Sequence, residues 1–281
     1  MTPVPHWQTS RFRIDLSTPR VMGIVNLTPD SFSDGGAHAN HAAGLAHCEQ
    51  LVREGADILD LGGESTRPGA PEVSVDQELG RVMPVLEGAL TLGVPVSVDT
   101  RKAEVMRAVL AAGADIVNDV EALRSPGAIA AIAAHPSCGV CLMHMRGTPE
   151  TMQHEPVYAD VVDEVLAFLR ERCAALESAG VDAERVVVDP GIGFGKSVEH
   201  NLELLRRQQD LLAVGRPLLL GWSRKSTLGA VTGRGVAERA AASVAAALIS
   251  VQRGARIVRV HDVAATVDAL KVWRAIDEVR G

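Results

Sequence analysis

Asn26, Asp60, Asp99, Asn118, His144, Asp189, Lys225, Arg259 and His261 fall at or near the ends of short apolar runs. Two groupings among them could do chemistry. Arg259 and His261 lie two residues apart, so on one extended strand they face the same way. Beside the first turn of the last helix they would form an anion corner, because a guanidinium grips phosphate oxygens bidentately and a helix start favours negative charge. The alternative for the same pair is a structural salt-bridge network. The second grouping is Asp99, Asn118, Asp189 and Lys225. Two carboxylates, an amide and an ammonium supply the acceptors and donors that a flat, amine-bearing heterocycle needs. Buried polar groups require partners, so in an apolar surround they imply a polar ligand or a static web in which Lys225 pairs with an aspartate.

The elements that must position these groups are legible in outline. The apolar runs are Val21–Asn26, Asp57–Gly63, Val94–Asp99, Asp115–Asp119, Val140–Met145, Val186–Gly191, Leu218–Lys225 and Arg256–Asp262. Between them lie Ala-rich stretches of helical character near 41–54, 75–91, 102–112, 127–134, 158–179, 198–210 and 237–253, with a last one at 263–278. Strand and helix alternating eight times predicts an α/β fold, a single (β/α)8 TIM barrel, with its active site at the carboxyl ends of the strands. Residues 1–19 precede the first barrel strand; Phe12, Ile14 and Leu16 alternate with Arg13 and Asp15, which suits a short strand or hairpin capping the barrel floor. No low-complexity linker divides residues 1–281, so one domain is expected. Three connections, after the first, second and fifth strands, are longer and richer in Gly, Pro and Ser than a turn needs, and all three share the catalytic face.

The formal net charge of −7 and the lack of Lys/Arg runs argue against a nucleic-acid partner. No apolar run approaches the roughly 20 residues of a membrane span, and the amino terminus lacks the pattern of a signal peptide, so a cytoplasmic enzyme is expected. Cys138 and Cys141 form a C-x-x-C, but on one strand their Cα atoms would be about 10 Å apart, beyond the roughly 7 Å limit for a disulfide. PGIGFGKS (190–197) resembles a nucleotide-binding P-loop but is one residue short of that spacing. His38, His41 and His47 suggest solvated helix-face histidines, since no cysteine or carboxylate completes a zinc spacing.

MGIVNLTPDSFSDGG (22–36) and LGGESTRPGA (61–70) are highly specific, and SVDTRK, VNDV, LMHMRGTPETMQ, DPGIGFGKSVEHNLELL, GWSRKSTLG and RVHDVAAT follow in order. On these stretches the chain resembles the dihydropteroate synthase family from about Met22 to Trp273. The resemblance implies a transferase in which Mg²⁺-dependent, SN1-like loss of pyrophosphate from 6-hydroxymethyl-7,8-dihydropterin diphosphate precedes attack by p-aminobenzoate, giving 7,8-dihydropteroate. It also implies a role in folate biosynthesis, a target for sulfonamides, and a homodimer formed through outer helices, with 237–253 a candidate surface.

Residue by residue, the resemblance implies that Asp99, Asn118, Asp189 and Lys225 hold the pterin, with Met143 beside the ring. Asn26, Arg259 and His261 would take the diphosphate, and Asn26 would also reach the magnesium. Thr66, Arg67, Pro68 and Ser226 would shape the p-aminobenzoate site, with Phe32 and Phe194 as walls. Asp99, Lys225 and Arg259 would carry the catalysis. Ile192 stands where many relatives have an aromatic, and Arg146 where a Gln is common; neither removes a ligand. A folate-binding methyltransferase barrel would share the pterin residues but has no use for the diphosphate corner or the STRPG loop. A non-catalytic pterin-binding paralogue would differ only in turnover.

Overall fold

A computed structural model of the chain describes residues 5–28, 36–65, 69–147 and 156–278. Eight parallel strands close into a barrel: β3 (Arg20–Asn26), β4 (Ile58–Gly62), β5 (Val96–Asp99), β6 (Ile116–Asp119), β7 (Gly139–Met143), β8 (Val186–Asp189), β9 (Leu218–Leu220) and β10 (Ala255–Val260), with β10 returning to β3. Strands buried on both faces need apolar side chains at nearly every position, which accounts for the Val, Ile and Leu density of these segments.

Helices wrap the outside: α1 (Gly36–Arg53), α2 (Val75–Ala89), α3 (Ala103–Ala111), α4 (Ala128–Ala134), α5 (Val161–Ser178), α6 (Val198–Arg206), α7 (Ser226–Thr232), α8 (Ala240–Gln252) and α9 (Val263–Glu278). Their starts are chemically marked. Ser74 and Ser197 each form a capping box, and Asp160 accepts from the amides of Val162 and Asp163. Helix α1 begins earlier than its hydrophobic pattern suggests. The 198–210 segment is α6 followed by a 3-10 turn over Gln208–Val214. The sequence reading did not anticipate α7, whose seven residues are too few for a helical period to show.

The amino-terminal segment is the expected hairpin. β1 (His6–Gln8) and β2 (Arg13–Asp15) pair antiparallel, with Trp7 opposite Ile14. Trp7, Ile14 and Leu16 are buried against Met22, Ile58, Ile116, Cys141, Val187, Leu219 and Ile257, the lower interior layer of the barrel. The Trp7 indole N–H donates to the Arg185 carbonyl at 2.9 Å, so the plug is anchored as well as apolar. The barrel floor is therefore sealed with hydrocarbon.

Candidate active site

Side chains on a strand alternate, so the residue two places beyond each member of that lower layer points into the barrel one storey higher. Ile58 leads to Asp60, Ile116 to Asn118, Cys141 to Met143, Val187 to Asp189 and Ile257 to Arg259. Register sets Asp99 beside Asn118, and Met143 beside Asp189. A storey of charge and amide thus rests on a storey of hydrocarbon, at the mouth where the strands end. The four residues expected to grip a heterocycle all come to this mouth.

Arg259 organises the near side. Its Nε donates to Asp60 Oδ2 at 2.6 Å and its Nη2 donates to Asp99 Oδ2 at 2.9 Å. Asn118 Nδ2 donates to the same Asp60 oxygen at 3.2 Å, while Asp60 Oδ1 is buried with no hydrogen-bond partner. Burial raises the Asp99 carboxyl well above its ordinary range, to about 7, against the pull of Arg259. The carboxyl therefore titrates near neutrality, and a positive charge developing beside it would draw it to the ionised form. Asp60 is the site residue to which the sequence reading assigned no role. Its signal was available: it is the acid two places above Ile58 on the second barrel strand.

The two members of the expected anion corner are held differently. Arg259 turns into the barrel toward two carboxylates. His261 lies past the end of β10 and is held by Ser223, whose Oγ accepts from the His261 amide at 3.1 Å and meets its Nδ1 at 3.0 Å. Burial, reinforced by Arg259, pushes the His261 imidazole down to about 3, so it is neutral at pH 7. In the ligand-free site the pair is therefore one cation and one neutral ring.

The run expected to carry Lys225 on a strand, Leu218–Lys225, is corrected. The seventh barrel strand stops at Leu220, and Lys225 is the residue capping α7. The intervening turn places Arg224 at φ 58°, a left-handed conformation uncommon for a side-chain-bearing residue. That turn is pinned by the Arg224 amide on Ser243 Oγ at 2.9 Å and by an Arg224–Asp262 ion pair at 2.6 Å. It delivers the Lys225 ammonium to within 4.0 Å of the Phe194 ring centroid. Phe194 packs with Met143, Met145 and Val120. It therefore walls the side of the mouth where Lys225 and Met143 stand.

Asp189 closes the far side. Its Oδ1 accepts from the Gly191 amide at 2.7 Å. Burial raises its carboxyl to about 6, with the Gly191 bond, Lys225 and Lys196 opposing. Gly191 has φ 70°, and a side chain there would collide with the carbonyl of His144, so no other residue fits this turn. Ser226 is exposed on the first turn of α7, and Asn26 ends β3. Phe32, Thr66, Arg67 and Pro68 lie outside the described residues.

The P-loop look-alike resolves into a self-tied turn. Lys196 is buried, and its ammonium donates to the carbonyls of Gly191 at 2.9 Å and Phe194 at 3.0 Å, and lies 2.9 Å from His144 Nδ1. Burial lowers the Lys196 ammonium to about 7, and burial and Lys196 together lower His144 to about 2, leaving that ring a neutral acceptor. The lysine fixes the loop that carries Phe194 instead of meeting a phosphate. All four cysteines are free and buried. Among the described residues, no group of three or more His, Cys, Asp or Glu could hold a metal ion, and no helix is long and apolar enough to cross a membrane.

A barrel whose mouth concentrates acids, an amide and cations above a dry floor defines an enzyme that binds a polar ring, and the pattern of the family described as "Pterin binding enzyme" matches residues 22–261. The dihydropteroate synthase of Neisseria meningitidis serogroup B is 55% identical over 276 residues, covering 96% of this chain and 97% of the relative. That of Escherichia coli K12 is 49% identical over 263 residues, covering 93% of each. The structure of Xanthomonas albilineans dihydropteroate synthase with 4-aminobenzoic acid superposes with a TM-score of 0.92 at 53% identity, covering 98% of both chains. That of Burkholderia cenocepacia dihydropteroate synthase complexed with 7,8-dihydropteroate does so with a TM-score of 0.90 at 52% identity, again covering 98% of both. The chain belongs to the dihydropteroate synthase family.

Proposed function

We propose that this chain is a transferase that condenses 6-hydroxymethyl-7,8-dihydropterin diphosphate with p-aminobenzoate, releasing pyrophosphate and 7,8-dihydropteroate. The observation that carries the reading is the near-complete superposition on a relative complexed with 7,8-dihydropteroate. The charged storey supplies the matching chemistry. Asp189 and Asn118 would read the aminopyrimidine edge, Lys225 would donate to the ring's acceptors, Met143 would lie beside the ring, and Phe194, packed against Met143, would wall the p-aminobenzoate side. The orphaned Asp60 Oδ1 is a further acceptor awaiting a donor.

Loss of pyrophosphate leaves positive charge on the pterin methylene and negative charge on the leaving group. Asp99 would meet the first, its attraction strengthening as the cation forms, and Arg259, bonded to Asp60 and Asp99 in the free site, would stabilise the second. The arylamine then attacks the methylene carbon, and its N–H proton leaves to solvent or to the departing diphosphate. No protein nucleophile is required. Thr66, Arg67, Pro68 and Phe32 on the first two long loops, with Ser226, would enclose p-aminobenzoate and keep water from the cation.

The donor set is compatible with Mg²⁺. Asn26 offers one neutral oxygen at the mouth, and the described residues contain no acidic cluster able to hold an ion unaided. An ion there would complete its shell with substrate phosphates and water, as Mg²⁺ commonly does. Bound by Asn26 in that way, it would stabilise charge on the departing diphosphate. His261 would contribute a hydrogen bond to the same diphosphate. The reading includes one catalytic domain over the whole chain, a homodimer, and a reducing cytoplasm to suit four free thiols.

Incubation of the purified chain with both substrates and Mg²⁺, with mass detection, should yield dihydropteroate. Pterin binding without condensation would identify a non-catalytic paralogue and overturn the reading.

A further inference from the structure

We propose that Lys102 and Arg101 are positioning residues for the second long loop, clamping its two ends together and so setting the affinity for p-aminobenzoate. The inference rests on the function proposed above.

The loop after β4 leaves the barrel through Glu64 and returns through Glu72 and Val73 into α2. Glu64 joins the two ends directly: its Oε1 accepts from the Val73 amide at 3.1 Å. Lys102 then donates to Glu64 Oε2 at 2.8 Å and to Glu78 Oε2, on α2, at 2.7 Å. Arg101 reaches Glu64 at 3.2 Å, Glu72 at 2.9 Å and Glu121, after β6, at 3.4 Å. Arg81 of α2 adds a bond to the Gly63 carbonyl at 2.8 Å. Both ends of one loop are therefore bound to the pair of cations that follow Asp99 by two and three residues.

This cluster differs from an ordinary surface ion pair. Glu78 is fully buried, and the side chains of Glu64 and Lys102 are only 7% and 11% exposed. Charges so placed interact through little solvent, and removing one partner leaves the others uncompensated. Burial pushes the Glu64 carboxyl up, but Lys102 and Arg101 more than offset it, so it is held ionised below its ordinary range. The segment between the clamped ends carries Thr66, Arg67 and Pro68, the residues expected to meet p-aminobenzoate. None of the clamp residues is itself expected to touch either substrate. Their effect should therefore fall on one substrate and not the other.

The experiment is initial-rate kinetics with both substrates varied, on wild type, Lys102→Met, Lys102→Arg and Arg101→Met. The expected result for Lys102→Met is a KM for p-aminobenzoate raised by about tenfold or more, with the KM for the pterin diphosphate within about twofold of wild type. Lys102→Arg, which keeps the charge, should recover most of the loss. Equal changes in both KM values, or a fall in thermal stability with kinetics unchanged, would overturn the inference. Should Lys102→Met fail to fold with Glu78 unpaired, the partly exposed Arg101→Met decides by the same criterion. A wild-type protein that forms no dihydropteroate would instead overturn the function on which the inference rests.

Discussion

Asp189, if it grips the pterin as proposed, does so at a cost to the fold. Its carboxyl titrates near 6 in the folded protein against 3.8 ordinarily, because burial disfavours the charge. Between those values the native state holds a proton that the unfolded chain has lost, so stability falls as pH rises through that window and stays reduced above it. Asp189→Asn removes this charge. At pH 7.5 the ligand-free variant should be no less stable than wild type, and more stable by on the order of 1–2 kcal/mol by calorimetry. Pterin affinity should collapse in the same variant; unchanged affinity would exclude Asp189 from the ring site. Lys225→Ala should cost roughly 2–4 kcal/mol of transition-state stabilisation, or about 30- to 1,000-fold in kcat/KM, measured at saturating p-aminobenzoate. Asp99, Asn118 and Asp189 stood out in the sequence because each falls at or near the end of an apolar run. The neutrality of His261 and the role of Asp60 did not. Both depend on which side chains converge across the barrel, and Arg259 and Asp60 are 199 residues apart in the chain.

At the scale of elements, the alternating pattern located every barrel strand, because burial on both faces imposes an apolar run that turns cannot mimic. It misjudged the seventh strand, which ends before Gly221 and leaves a tight turn to present Lys225. Sequence shows that a lysine follows the strand but not that the chain bends back to a helix cap before reaching it. The floor hairpin was legible from three alternating apolar residues, whereas its keystone, Trp7, sits on the partner strand and took its place only through pairing with Ile14. Trp7→Ala should destabilise the fold by about 3–5 kcal/mol, the usual cost of emptying a large buried site. Its kcat per folded molecule should remain close to wild type, since the charged storey stands above the plug. A selective loss of turnover with unaltered denaturant midpoint would contradict that division.

For the molecule as a whole, the outer surface carries its own signal. Val231 of α7 is 59% exposed, Val236 in the following turn 57% and Ile249 of α8 37%, and α7 packs against α8. Exposed apolar residues on packed neighbours suit a subunit contact. Sedimentation should give twice the chain mass of 29.7 kDa, and Val231→Asp should shift the population toward monomer. A single-chain mass for the wild type would rule this surface out.

The hairpin beneath the barrel carries a final consequence. With hydrocarbon stoppering one end, a ligand of the charged storey would have to come and go at the opposite rim, where the strands finish. On the function proposed above, a pterin seated in that storey would have to arrive before the p-aminobenzoate lying over it. The finished molecule, spanning both depths, would then back out past the same threshold before the next round began.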